Sequence, residues 1–208
     1  MTPSRRAKLQ IVIATRNTHK FRELTTLLAI PGVQWRSLAE FARAPVIRED
    51  GATFEANASK KARLIAHATG CLALADDSGL EVKVLGGAPG IRSARFAGRH
   101  GDDRANNRKL LKQLESVVTS RRRAQFRCVL ALASPTKILK ITEGILRGRI
   151  APAPKGKQGF GYDPIFLVPR LHRTVAELSS TVKNRISHRA RAAAKMRRWL
   201  ANNRALTT

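Results

Sequence analysis

An α/β fold is what the sequence predicts, and three stretches predict it. Residues 9–14 form a β-branched apolar run, which passes through a polar loop into a helical pattern with Phe21, Leu24, Leu27 and Leu28 on one face. Thr53 suits the cap of a second helix ending near Gly70, with Phe54, Ala58, Ala62 and Ile65 inward, and a strand-like run begins directly afterwards at Cys71. Residues 124–133 and 138–146 read as two longer strands joined by Ser134-Pro135-Thr136-Lys137, an antiparallel hairpin. At 208 residues the chain suffices for one substantial core and is too short for two separate domains, so a single domain is expected.

The run from Cys71 organises the rest. It ends in Asp76-Asp77-Ser78-Gly79 and then resumes as an alternating Leu80, Val82, Val84 pattern. Two carboxylates are thereby expected at the end of a buried strand. Neighbouring carboxylates resist ionising together unless a cation offsets their repulsion, and Mg²⁺ sites use one or two such groups plus substrate phosphates. An Asx-type turn with a glycine is the plainer alternative.

Around this centre the chain falls into recognisable pieces. Thr15-Arg16-Asn17-Thr18-His19-Lys20 opens the first helix, where backbone N–H groups suit a phosphate and Lys20 adds positive charge; a simple capped helix start has the same form. The glycines of a nucleotide-triphosphate phosphate loop are absent. Glu49 precedes the second helix, as a dipole partner or as a further metal carboxylate. After an irregular turn over residues 85–90, Ile91 to Phe96 is expected as a strand, and Asp102 to Val118 as a helix with Leu110, Leu111, Leu114 and Val118 inward. A loop rich in Gly and Pro then leads to Phe160-Gly161-Tyr162-Asp163, where aromatics beside glycines can wall a flat base and Asp163 can accept from its donors. Ser187 suits the cap of a closing helix with Ala193, Met196, Trp199 and Leu200 on one face.

Composition narrows the class. A 43% hydrophobic content argues for a folded chain. The net charge of +26 calls for a polyanionic partner or a solvated basic surface, and nucleic-acid binding is the class to test. Only 5% of residues are aromatic, so no platform for stacking bases is visible. The two cysteines give neither a disulfide framework nor a zinc spacing and read as buried thiols in a reducing compartment. Arg5, Arg6 and Lys8 before Leu9 to Ala14 imitate a signal sequence, but the apolar part is too short, and no stretch is long enough to span a bilayer. The cytoplasm is expected.

Taken in order, these stretches resemble the inosine triphosphate pyrophosphatase family. The matching pieces are residues 15–20, Glu49 to Phe54 with Asn57 and Lys61, Ala75 to Leu80 running into Leu85 to Arg95, Gly159 to Phe166, and Lys183 with Ser187-His188-Arg189; they span about residues 9–200. The resemblance implies an elongated mixed β-sheet flanked by helices, in two lobes with a central cleft, and a homodimer. It further implies Mg²⁺-dependent hydrolysis of aberrant purine nucleoside triphosphates (dITP, ITP, XTP) to the monophosphate and pyrophosphate. Asp77 would be the catalytic carboxylate and a metal ligand, with Glu49 and Asp76 completing the metal set. Thr15, Asn17 and Lys20 would hold the triphosphate, with Arg16, Thr18 and His19 in the same substrate-binding loop; Lys61 would sit near the phosphates and Ser78 would contact the substrate. Phe160, Gly161, Tyr162 and Asp163 would wall and read the base and sugar, with Lys183, His188 and Arg189 completing that pocket. Arg16, Ala56 and Arg92 depart from residues frequent in the family, without removing any of these groups. A pyrophosphatase for other modified triphosphates, and a nucleic-acid-binding protein with a relict cleft, are the competing readings.

Overall fold

The computed structural model describes residues 8–203; Arg5 and Arg6 of the signal-like start lie outside them. Strand β1 (Leu9–Ile13) leads into helix α1 (Thr18–Leu27), which returns the chain to β2 (Val33–Ser37), parallel to β1 in the register Ile11↔Trp35. Helix α2 (Phe54–Thr69) then crosses to β3 (Leu72–Val82), parallel to β1 on its other edge in the register Ile11↔Leu72. Such crossovers demand intervening helices, which is why helical and strand-like patterns alternate in this half of the sequence. Helix α2 stops at Gly70, whose φ of 68° is the left-handed conformation that ends a helix at little cost only for glycine.

After β3 the topology changes to antiparallel. A 3₁₀ segment (Gly90–Arg95) and helix α3 (Asp103–Gln113) precede β4 (Arg123–Ala133), β5 (Ile138–Ile150), β6 (Phe166–Val168) and β7 (Arg173–Thr174). The expected hairpin is present, closed by the Ser134 N–H donating to the Lys137 carbonyl at 2.9 Å. Helices α4 (Ser180–Ile186) and α5 (His188–Asn202) finish the chain, and Ser187 caps α5 by accepting from the Ala190 N–H at 3.1 Å. The sheet is mixed, in the order β2-β1-β3-β4-β5-β6-β7. Among the described residues no helix is long and apolar enough to cross a membrane.

The chain divides into two compact units. One lies within residues 8–77, 129–143 and 192–203; the other comprises residues 78–128 and 144–191. The core of the second gathers Leu80, Val82, Phe126, Leu146, Ile150, Phe166 and Val168, alternate residues on four strands, against Leu110 and Leu114 of α3.

Several expectations fail for local reasons. Strand β3 does not end at Asp76-Asp77: it runs unbroken through Asp76, Asp77, Ser78 and Gly79 to Val82, because these polar groups find partners without a turn. Val84 accordingly leaves the alternating pattern and is exposed in a 3₁₀ turn. Ile91 to Phe96 forms no strand; its Ser93 hydroxyl donates to the Gly90 carbonyl at 2.6 Å and favours the tight 3₁₀ coil. Helix α3 stops five residues short of Val118, which is 61% exposed.

Gly148 on β5 is fixed by packing. A Cβ there would lie 2.5 Å from the Phe166 ring and would also strike the Leu167 carbonyl oxygen. Gly148→Ala is expected to destabilise the protein by about 1 to 3 kcal/mol in urea unfolding, the range of overpacked cores.

Candidate active site

In the first unit the site grows from strand alternation. Successive side chains of a strand face opposite ways, so Asp76 and Asp77 are drawn to different helices. Asp76, fully buried, forms an ion pair with Lys20 of α1. Asp77 faces Lys61 of α2, whose ammonium lies 3.8 Å from Asp77 Oδ1, donates to Glu49 Oε1 at 2.6 Å, and also donates to the Asp76 carbonyl oxygen at 2.6 Å. One buried cation thus joins Glu49, Asp77 and the β3 backbone.

The Glu49 loop is held by the next turn. Asn57 Oδ1 accepts from the Gly51 N–H at 2.8 Å, and a Cβ on Gly51 would lie 2.7 Å from that oxygen. The glycine therefore permits the close approach that fixes Glu49 beside Lys61. Thr53 caps α2 by accepting from the Ala56 N–H at 3.0 Å.

At the mouth of α1, Asn17 Oδ1 accepts from the His19 and Lys20 N–H groups at 2.9 and 3.1 Å, and Thr15 Oγ1 accepts from the Asn17 N–H at 3.2 Å. Two of the N–H groups expected to await a phosphate are therefore used in capping. Among the described residues the Asn17 amide nitrogen makes no hydrogen bond. Arg16 turns away and donates to the Ala44 carbonyl at 3.2 Å, whereas Thr18 and His19 are exposed.

Electrostatics distinguish these groups. Burial raises the Asp77 carboxyl, Lys61 opposes the rise and Glu49 adds to it, with the outcome that its pKa moves from the usual 3.8 to about 6. Burial alone would lower the Lys61 ammonium, but the Asp77 and Glu49 carboxylates outweigh it and hold its pKa above the ordinary value.

The second unit builds a different surface. Lys183 donates to Asp163 Oδ2 at 2.8 Å, and the same oxygen accepts from the Phe160 N–H at 3.0 Å. The Lys183 ammonium lies 4.9 Å and the Arg189 guanidinium 5.6 Å from the Phe160 ring centre, so two cations contact one aromatic ring. Arg189, 1% exposed, also donates to Ser78 Oγ at 2.9 Å. His188 stacks on Phe126 at 4.8 Å. Tyr162 faces inward instead: its ring is buried, its hydroxyl donates to the Ser93 carbonyl at 2.9 Å, and burial, followed by the nearby Asp103 charge, pushes its pKa up.

Two residues that the sequence reading passed over fix this loop. Asp103 Oδ2 accepts from the Gly161 N–H at 2.6 Å, and Asn107 Nδ2 donates to the Gly161 carbonyl at 3.0 Å. They are one helical turn apart on α3, so a rigid helix holds both sides of one residue. A polar pair at i and i+4 in a leucine-rich helix was the available signal.

The order of these elements and the residues they carry match a family model, that of the Ham1 family, over residues 11–199. The chain belongs to the Ham1 family. Family relatives include a dITP/XTP pyrophosphatase of Bacillus licheniformis, 49% identical over 187 residues, covering 90% of this chain and 95% of that protein. Another is the dITP/XTP pyrophosphatase of Bacillus subtilis strain 168, 46% identical over 191 residues, with 92% and 96% coverage. Among solved structures, a HAM1 protein from Coxiella burnetii superposes with a TM-score of 0.86 at 44% identity, over 93% of this chain and 99% of that one. The Ham1 protein of Staphylococcus aureus gives 0.84 at 41% identity, over 93% and 98%. The α/β fold and the resemblance read from the sequence are thereby established.

Because the folded Asp77 carboxyl holds its proton up to about pH 6 while the unfolded one releases it near 3.8, Asp77 contributes stability below pH 4 that is lost as pH rises through 6. Without divalent cations, Asp77→Asn should therefore gain on wild type between those values, reaching about 3 kcal/mol above pH 6. Urea unfolding across the pH range measures it.

Proposed function

We propose that this protein hydrolyses the aberrant purine triphosphates dITP, ITP and XTP to the monophosphate and pyrophosphate, in the cytoplasm and as a homodimer, with residues 1–208 acting as a single pyrophosphatase domain. The observation that carries the reading is the cluster of Glu49, Lys61 of α2 and Asp77 of β3, in a chain whose relatives are named for this reaction.

The donor set suits Mg²⁺. Among the described residues no three His, Cys, Asp or Glu side chains gather into a ready cage, and Mg²⁺ does not need one: it keeps several waters and is held by one or two carboxylates plus substrate phosphates. Glu49 and Asp77 are those carboxylates in our reading, with Asp76 fixed by Lys20 as their support. A bound Mg²⁺ would supply charge neutralisation at the phosphoryl oxygens.

The chain's own residues do the rest. Asp77 orients the attacking water at the α-phosphorus; Lys20, Thr15 and Asn17 hold the triphosphate, Lys61 neutralises charge beside it, and Arg16, Thr18 and His19 flank the phosphate loop. Phe160 offers a face for the base. Lys183, His188 and Arg189 supply donors suited to a 6-oxo purine, with Ser78 at the sugar; Gly161, Tyr162 and Asp163 keep that surface in place.

Pyrophosphate release from ITP, XTP, dGTP and ATP tests this. ITP and XTP should be turned over far faster than ATP in Mg²⁺, and chelator should stop the reaction. Asp77→Asn should lower kcat at least about 100-fold with the fold intact, the scale of losing a group that stabilises the transition state. Lys20→Ala should mainly raise KM. Release from other modified triphosphates in place of ITP and XTP would redirect the substrate assignment.

A further inference from the structure

One triphosphate needs only a few positive groups, and the net charge of +26 far exceeds them. Part of the excess is concentrated in one place. On the second unit the sheet face opposite the apolar core carries a groove of about 650 Å³, lined by Glu81, Lys83, Arg123, Gln125, Arg147 and Arg149 among others. Alternation explains the division: Leu80, Val82, Phe126, Leu146 and Ile150 enter the core, and Glu81, Gln125, Arg147 and Arg149 alternate with them on the groove face.

The charges in this groove are not internally balanced. Among the described residues Lys83, Arg123, Arg147 and Arg149 form no ion pair with a carboxylate. The single lining acid is already engaged, since Gln125 Nε2 donates to Glu81 Oε2 at 2.6 Å and Arg127 lies 3.7 Å from Glu81 Oε1. Like charges on one face of neighbouring strands repel and destabilise a sheet, a cost that an anionic occupant would remove. Arginine is the side chain best shaped to bind phosphate bidentately. Among the described residues no aromatic ring lines the groove, so bases have nothing there on which to stack.

We propose that this groove binds the phosphodiester backbone of nucleic acid without regard to sequence. Charge complementarity selects the occupant: four cations spread over β4, β5 and the turn that follows β3 match a string of phosphates better than a single small anion, and the absence of stacking groups selects backbone over base contact. The groove shares no residue with the Glu49–Lys61–Asp77 cluster, and the proposal does not depend on the hydrolytic reading.

Fluorescence anisotropy with a labelled DNA duplex of random sequence tests it. Four phosphate contacts give a salt slope near −3.6, so wild-type affinity should fall about 100-fold between about 50 and 200 mM salt. The triple variant Lys83→Gln, Arg123→Gln, Arg147→Gln should flatten that slope by about 3 units and keep ITP hydrolysis unchanged. A control removing the exposed Arg43, Arg63 and Arg108 lowers the total charge equally and should bind like wild type. Equal losses in control and groove variants would overturn the proposal in favour of diffuse charge. Displacement of the duplex by equimolar pyrophosphate would reassign the groove to a small anion. A change from dimer to monomer in the groove variant, with duplex affinity intact, would assign the face to a second copy of the chain.

Discussion

The Lys61 ammonium is the interaction on which the first unit's site depends. It is buried, and it is bound to Glu49, to the Asp76 carbonyl and, at longer range, to Asp77. Removing a charge from water costs several kcal/mol, and only compensating charges and hydrogen bonds at good geometry offset it. Here the compensation is complete enough to hold the lysine protonated, yet it leaves Asp77 ionising only near pH 6. A carboxylate in that condition gains from any further positive charge brought beside it. In the proposed function this imbalance is what draws a divalent cation, and the alternation of β3 keeps Asp76 from adding to it by committing it to Lys20.

The second unit uses cations differently. Lys183 and Arg189 converge on Phe160, and each is anchored at its far side by a polar partner, Asp163 or Ser78. In the proposed function these fixed donors beside a flat apolar ring discriminate an oxo from an amino purine, because a donor free to rotate would admit either. Helix α3 contributes to that fixity through Asp103 and Asn107, and the core beneath contributes through the Phe126–Phe166 stack at 4.3 Å.

Much of this was legible in the sequence where a signal was local. The caps at Asn17, Thr53 and Ser187, the hairpin turn at Ser134 and the stop at Gly70 all depend on residues within one turn of the chain. Errors arose where a distant partner decides. Asp76-Asp77-Ser78-Gly79 has the composition of a turn, but Lys20, Lys61 and Arg189 satisfy its polar groups from afar and the strand continues. Tyr162 beside Phe160 looks like a second base wall, but the Ser93 carbonyl draws its hydroxyl inward. The i and i+4 polar pair marks Asp103 and Asn107 in the sequence, but not what they hold, because their partner, Gly161, lies more than 50 positions away.

The most direct test of this account is the stability of Lys61→Met as a function of Mg²⁺ concentration at neutral pH. If Lys61 is the cation that balances Glu49 and Asp77, the variant should lose about 3 to 5 kcal/mol, the scale for unpairing a buried charge, and should recover part of it as Mg²⁺ enters between the same carboxylates. Wild type should respond less, because its cation is already in place. A loss that is the same with Mg²⁺ and with chelator would contradict the account and reduce Lys61 to a packing residue.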